Sequence, residues 1–160
     1  MKKEISCRVT NSVLRYVENR KDSVNDFLEG FGVDARYLRD TNNWISLEKA
    51  EALLRRAENH YQSPGLSFEI GSQAVELEAL GALATILRVT GDPRLVFERA
   101  PKLIEHIDRI STLEVLRISD TNALVEVHPA EGSKVSKYTC EYLAGLFSSF
   151  PTLWDQPPAK

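Results

Sequence analysis

The sequence predicts an α+β fold, in which a helical amino-terminal two-thirds packs on a small antiparallel sheet and a carboxy-terminal helix follows. Two observations lead to this prediction. Apolar residues recur with helical spacing through the first part of the chain, and from Ser111 onward two β-rich segments flank a turn. A length of 160 residues suits one hydrophobic core, so residues 1–160 are interpreted as a single domain.

The chain begins with short helical segments. Apolar residues at 13–17 predict a short helix that ends before Arg20. Ser23 and Asp34 each precede a further short helix, because their side-chain oxygens can accept hydrogen bonds from the free amides of a first turn.

The clearest predicted helix begins after Ser46, which can cap it, and Glu48 lies favourably near the positive end of its dipole. Apolar and aromatic residues then follow a 3.6-residue period and predict one buried stripe. The stripe comprises Leu47, Ala50, Leu53, Leu54, Ala57, His60 and Tyr61. Residues 63–65, Ser-Pro-Gly, are expected to end this helix.

The middle of the chain is also predicted to be helical. A short helix is expected over 66–71, and the nearly continuous apolar stretch 77–89 predicts a buried helix by its length and alanine content. Gly91-Asp92-Pro93 then ends one helix and starts the next. Pro101 is expected to bend or shorten that next helix.

The last third changes character. Residues 112–118 and 123–128 predict an antiparallel hairpin across the turn 119–122. Because an isolated two-stranded hairpin is only marginally stable, a further strand is expected in the sheet, and the segment 4–9 is the candidate. The final helix is predicted over 134–147.

Composition excludes several classes of function. The formal net charge of −3 and the lack of a basic stripe argue against direct contact with nucleic acid. The amino terminus has no secretory signal, and the longest apolar run, 79–89, is too short to span a bilayer, so no membrane contact is expected. Cys7 and Cys140 are interpreted as buried free thiols in a reducing compartment, which predicts a cytoplasmic protein.

No catalytic constellation is visible in the sequence. Cys140 has no local signature that pairs it with a histidine base, and the three isolated histidines lack the spacing of a zinc site. His106 is the least unsuitable axial ligand for a haem, but a partly exposed histidine is the preferred interpretation. The chain is therefore expected not to be an enzyme and to carry no cofactor.

Aromatic residues suggest a small-molecule site instead. Tyr138, Tyr142 and Phe147 on the last helix, with Phe97, are predicted to line a pocket between that helix and the hairpin. Tyrosine hydroxyls could fix the polar end of a ligand while the rings supply apolar contact. Cys140 is expected to pack on the opposite side of the helix from Tyr138. The alternative is that these aromatic residues simply fill the core.

Two series of short motifs resemble known families. The first resembles the amino-terminal ligand-binding and dimerisation domain of AraC-type transcription regulators, and it consists of 32–34 (Gly-Val-Asp), 44–46 (Trp-Ile-Ser), 68–71 (Phe-Glu-Ile-Gly), 79–81 (Ala-Leu-Gly) and 91–93 (Gly-Asp-Pro). The second is similar to the vinyl-reductase-like and haem-NO-binding-like sensor domains of bacterial kinases and diguanylate cyclases, and it consists of 136–145, 150–154 and 157–159.

This resemblance implies a regulatory input domain that binds a small, largely apolar ligand. The partner would be an output domain in the same polypeptide, whether a kinase, a diguanylate cyclase or a DNA-binding domain. The ending at Pro157-Pro158 suggests an amino-terminal fragment of a longer signalling protein. A homodimer is expected, with 77–89 as the contact.

The alternative function is a ligand-free protein-interaction or dimerisation module. The two hypotheses differ in what they require of the interior. An apolar cavity with one or two polar groups would favour the sensor, and a filled core would favour the interaction module.

Overall fold

A computed structural model describes residues 2–89, 91–119 and 122–159 and confirms the α+β fold. The elements in chain order are β1 (Ile5–Ser6), α1 (Cys7–Asn19), α2 (Val24–Phe27), α3 (Ala35–Arg39), β2 (Trp44–Ile45), α4 (Leu47–Tyr61), α5 (Leu66–Ser72), α6 (Ala82–Val89), α7 (Pro93–Ile104), β3 (Ser111–Ile118), β4 (Ala123–Pro129), α8 (Lys137–Ser149) and a 3-10 helix (Phe150–Trp154). β1 pairs with β2 and β3 pairs with β4, both antiparallel.

Helix α1 lies at the centre of the molecule and is longer than the apolar residues 13–17 alone predict. Ser6 caps it by accepting from the Arg8 amide at 3.2 Å. Its buried polar side chains are satisfied by distant groups, because Thr10 donates to the Leu38 carbonyl at 2.7 Å and Asn11 donates to the Ala79 carbonyl at 3.2 Å. Tertiary hydrogen bonds therefore let α1 bury polar positions that an amphipathic pattern assigns to the surface.

The early cap at Ser6 also explains why the predicted strand over 4–9 is wrong for most of its length. Only Ile5 and Ser6 are extended, and they pair with Ile45 and Trp44. β1 meets the start of the hairpin region through an isolated bridge between Ile5 and Asp108. Within the described residues, the sheet of β3 and β4 has two strands and gains no third.

Arg8 joins three segments that are far apart in the sequence. Its guanidinium donates to the carbonyl oxygens of Thr41 at 2.9 Å, Leu80 at 3.2 Å and His106 at 3.3 Å. Burial lowers the pKa of Arg8, and these carbonyls, together with the Ser6 hydroxyl at 3.1 Å, accept from its Nε and Nη1 groups. The residue fixes the loops around the amino end of α1.

Helix α4 confirms the predicted core stripe. Ser46 caps it by accepting from the Lys49 amide at 3.4 Å, and Leu53, Leu54 and Ala57 are buried. Leu47 and Tyr61 at the two ends of the stripe are partly buried against the core, whereas His60 is exposed beside Asp22, with 3.6 Å between Nε2 and Oδ2. Gln62 in the left-handed region then terminates the helix before 63–65.

Helices α5 and α8 cross with their backbones in contact. A β-carbon on Gly145 would lie 2.1 Å from the Phe68 carbonyl oxygen, and one on Gly71 would lie 2.2 Å from the Tyr142 carbonyl oxygen. No side chain fits at either position, so these two glycines set the distance between the helices.

The predicted buried helix over 77–89 is corrected in two respects. Residues 73–81 form turns, because Glu78 and Gly81 adopt positive φ angles of 54° and 58°, and the helix α6 begins only at Ala82. Leu83 and Leu87 are buried, but the opposite face of α6 is exposed.

The predicted hairpin is confirmed as β3 and β4. Leu113 pairs with Val127 and Val115 pairs with Val125 on the half-buried face, and a register shift follows between Val115 and Arg117. Asp120 and Thr121 in the predicted turn lie outside the described residues. Apart from its pairing with β4, β3 packs mainly on α7. This helix continues through Pro101, where it was expected to bend or shorten, and ends at Ile104.

Candidate functional site

Tyr142 is the most deeply buried of the four predicted ligand residues. It lies on the face of α8 that meets α1, and its hydroxyl is 2.8 Å from the Ser12 hydroxyl. Burial raises the pKa of Tyr142 to about 12, because the phenolate would lose its hydration in the interior. Its hydroxyl is therefore a structural hydrogen-bonding group in this conformation.

Phe97 and Phe147 come together, but around a third aromatic residue. The ring centroids of Phe97 and Phe150 are 6.1 Å apart, and those of Phe147 and Phe150 are 5.5 Å apart in an edge-to-face arrangement. Phe150 is buried at the start of the 3-10 helix. These contacts are typical of core packing between aromatic side chains.

Tyr138 lies near the start of α8 and is partly buried, with the Lys137 ammonium 5.0 Å from its ring centroid. Cys140 was expected to pack, and this is wrong: its side chain is exposed. Periodicity does place it on the opposite side from Tyr138, but in this fold that side faces outward. Cys7, in contrast, is buried, and burial raises the pKa of its thiol.

The four predicted residues do not converge on a space between α8 and the hairpin. Helix α8 packs mainly on α5 and also on α4, whereas the hairpin packs on α7. The two elements were expected to enclose a pocket because aromatic residues are dense there, but Gly145 lets α8 approach α5 instead. Ligand binding by Tyr138, Tyr142, Phe147 and Phe97 stays a prediction.

A small cavity lies instead where β1, α1, α4 and α8 meet the end of α7. Its volume is about 10 Å³, close to the minimum for one water molecule. Its lining comprises Ile5, Val9, Ala50, Leu54, Ile107, Asp108, Thr139, Tyr142 and Leu143. Of the four predicted ligand residues, Tyr142 is the one that lines it.

Asp108 is the polar residue in this cavity that sequence reasoning missed. It is 1% exposed, and its Oδ1 accepts from the Ile110 amide at 2.7 Å. Its Oδ2 is buried and has no hydrogen-bond partner among the described residues. An Asp between Ile107 and Arg109 resembles an ordinary loop residue in the sequence, and no periodicity reveals its burial.

A second feature is an exposed apolar stripe on α6. Ala82, Ile86 and Val89 follow i, i+4, i+7 spacing, and Ile86 and Val89 are 59% and 81% exposed. Leu83 and Leu87 are buried on the adjacent face, and the exposed Thr85 and Arg88 lie opposite those two leucines. The apolar surface of α6 therefore extends beyond the part that the chain itself covers.

The hairpin carries a smaller exposed apolar pair near its tip. Leu116 lies at the register shift in β3, and Leu124 pairs opposite Arg117 on β4. Both side chains are about half exposed. Scattered exposed leucines are common on protein surfaces, so this pair is weaker support for an interface than the stripe on α6.

The described residues contain no cluster of three or more His, Cys, Asp or Glu that could hold a metal ion. Among the helices described, none has the length and apolar character needed to cross a membrane. Searches against protein-family models, curated proteins and solved structures return no match to this chain.

Proposed function

We propose that this domain is a cytoplasmic regulatory module that pairs with a second copy of itself through α6 and thereby controls an output domain in the same polypeptide. The observation that carries the proposal is the exposed stripe of Ala82, Ile86 and Val89, which lies beside the buried face of Leu83 and Leu87 on the same helix. The regulatory part of the proposal rests on the resemblance to AraC-type and related bacterial sensor domains.

A second copy is the favoured occupant of the stripe. Symmetric dimers are the commonest oligomers, and interface cores are depleted in charged residues. An antiparallel pairing of two α6 helices about a twofold axis would place Ala82 of each copy near Val89 of the other. The small alanine would then face the larger valine, which lets the helices approach closely.

The filled interior supports the interaction module over the ligand sensor. The cavity lined by Tyr142 has a volume of about 10 Å³, which is far below the roughly 300 Å³ or more of typical small-molecule pockets. The sensor hypothesis would require this cavity to open on binding.

Sedimentation velocity over the micromolar to millimolar range tests the pairing. A stable interface buries about 800 Å² per partner, which is more than one eight-residue helix supplies, so a weak dimer is expected. Ile86→Asp with Val89→Asp should leave only monomer because it places charge in the contact.

The matched control is Leu116→Asp with Leu124→Asp, which places the same charges on the exposed pair of the hairpin. This variant should dimerise like the wild type. Monomer alone at the highest wild-type concentration would refute the proposal, and so would loss of the dimer in the hairpin variant only.

A further inference from the structure

The buried carboxylate of Asp108 has a hydrogen-bond partner among the described residues for only one of its two oxygens. One of its oxygens accepts from the Ile110 amide, and the other is buried without a partner among the described residues. Buried polar atoms in folded proteins nearly always have a hydrogen-bond partner, and a carboxylate oxygen is costly to leave without one. No described residue supplies that partner, so a small molecule held beside Asp108 is the candidate.

The cavity that Asp108 lines provides the space for such a partner. A volume of about 10 Å³ matches one water-sized molecule. Empty cavities of this kind are expected when the walls are purely apolar, whereas polar walls retain water. Here the carboxylate of Asp108 and the hydroxyl-bearing residues Thr139 and Tyr142 interrupt otherwise apolar walls, and the Tyr142 hydroxyl is already bonded to that of Ser12.

Thr139 determines the hydrogen-bonding character of the occupant. Its hydroxyl donates to Glu51 Oε1 at 3.0 Å, so towards the cavity its oxygen can only accept. Asp108 Oδ2 is a carboxylate oxygen and is also an acceptor. The cavity thus presents acceptors, and its occupant must be a donor.

We propose that this cavity is a binding site for one small hydrogen-bond donor, held by Asp108 Oδ2 and Thr139 Oγ1. Water fits this description, because its two hydrogens match the two acceptors. Ammonium shares the donor chemistry and would compensate the charge. Its remaining N–H groups would point at apolar walls such as Val9 and Leu143, and water is therefore the favoured occupant. The proposal is independent of pairing through α6.

The test uses the full chain with labelled methyl groups and detects magnetisation transfer from the occupant to the wall methyls of Val9, Leu54 and Leu143. Spectra are recorded in sodium chloride and in ¹⁵N-ammonium chloride. Cross-peaks at the water frequency in both salts that disappear in the cavity-filling variant Val9→Ile would establish water, because solvent-exchanging hydroxyl protons of Thr139 and Tyr142 would still give such peaks in that variant. Cross-peaks at the ammonium frequency in the second salt would establish ammonium. Absence of cross-peaks at both frequencies would overturn the proposal.

Two variants locate the occupant. Val9→Ile adds one methyl group to the cavity wall and should abolish the cross-peaks. The control is Val13→Ile, because Val13 is buried on α1 but does not line the cavity. This control should preserve the cross-peaks. Asp108→Asn should retain water, which can accept as well as donate, and should exclude ammonium. Unchanged cross-peaks in a folded Val9→Ile protein would show that the occupant lies elsewhere and would overturn the assignment.

Discussion

The crossing of α5 and α8 and the outer face of α6 are both rich in small and apolar residues, yet they are packed in opposite ways. At the crossing, Gly71 and Gly145 allow backbone to touch backbone, and no volume is left for a single methyl group. On α6, Ile86 and Val89 project into solvent. Apolar content alone therefore does not distinguish a completed contact from one that lacks a partner. The two regions differ in whether another element of the chain covers the apolar surface.

The largest effect is expected from Leu54→Ala in the completed part of the core. Leu54 is buried on α4 and lines the small cavity, so its truncation would enlarge an existing space. We expect a loss of about 2–5 kcal/mol in the free energy of unfolding. Denaturant melts measure it, and Arg55→Ala on the exposed side of the same helix serves as the control. A loss below about 1 kcal/mol would show that this face is not core.

Tyr142 should make stability depend on alkaline pH. Its pKa is about 12 in the folded protein and roughly 10 when unfolded, so its contribution is complete below about pH 10 and is lost as pH rises towards 12. We expect the wild type to lose roughly 1–3 kcal/mol more than Tyr142→Phe over this interval. Unfolding curves at a series of pH values measure this difference. Equal losses of stability in the wild type and in Tyr142→Phe would contradict the prediction.

Gly145→Ala should disrupt the helix crossing. The added methyl group would meet the backbone of Phe68, which cannot rotate away as a side chain could. We expect a destabilisation of about 1–3 kcal/mol despite the better helix propensity of alanine. The reverse change at the neighbouring exposed position, Ala144→Gly, is the control and should cost about 1 kcal/mol through propensity alone. Thermal melts that show stabilisation by Gly145→Ala would contradict the close crossing.

The smallest effect on stability is expected on the outer face of α6. Ile86→Ala should change the free energy of unfolding of the monomer by less than about 0.5 kcal/mol, because the side chain is largely exposed. Denaturant melts at low protein concentration measure this value. A loss above about 2 kcal/mol would show that Ile86 already packs within its own chain, and the contrast between the two regions would disappear.

The sequence was a good guide where local chemistry determines the structure. Ser46 as a cap and the periodicity of Leu53, Leu54 and Ala57 predicted α4, and β-rich segments around a turn predicted the hairpin. These features depend on residues within a few positions of one another, so they can be recognised without knowledge of the tertiary fold.

Features that depend on distant contacts were missed. The positive φ angles of Glu78 and Gly81 interrupt an apolar run that resembles a continuous helix. The packing of α8 on α5 depends on Gly71 and Gly145, which are far apart in the sequence, and it moved the aromatic residues away from the expected pocket. The burial of Asp108 likewise follows from the pairing of β1 near the end of α7 and not from its neighbours.

The hydrogen bonds of Arg8 couple three distant loops, so they affect how those loops unfold locally. Its hydrogen bonds reach loops around Thr41, Leu80 and His106, so release of any one loop leaves a partly buried cation short of an acceptor. Amides of the three loops should consequently exchange with solvent deuterium as one cooperative unit. Lysine lacks the planar fork that serves several acceptors at once, and in Arg8→Lys the three loops should exchange at separate rates.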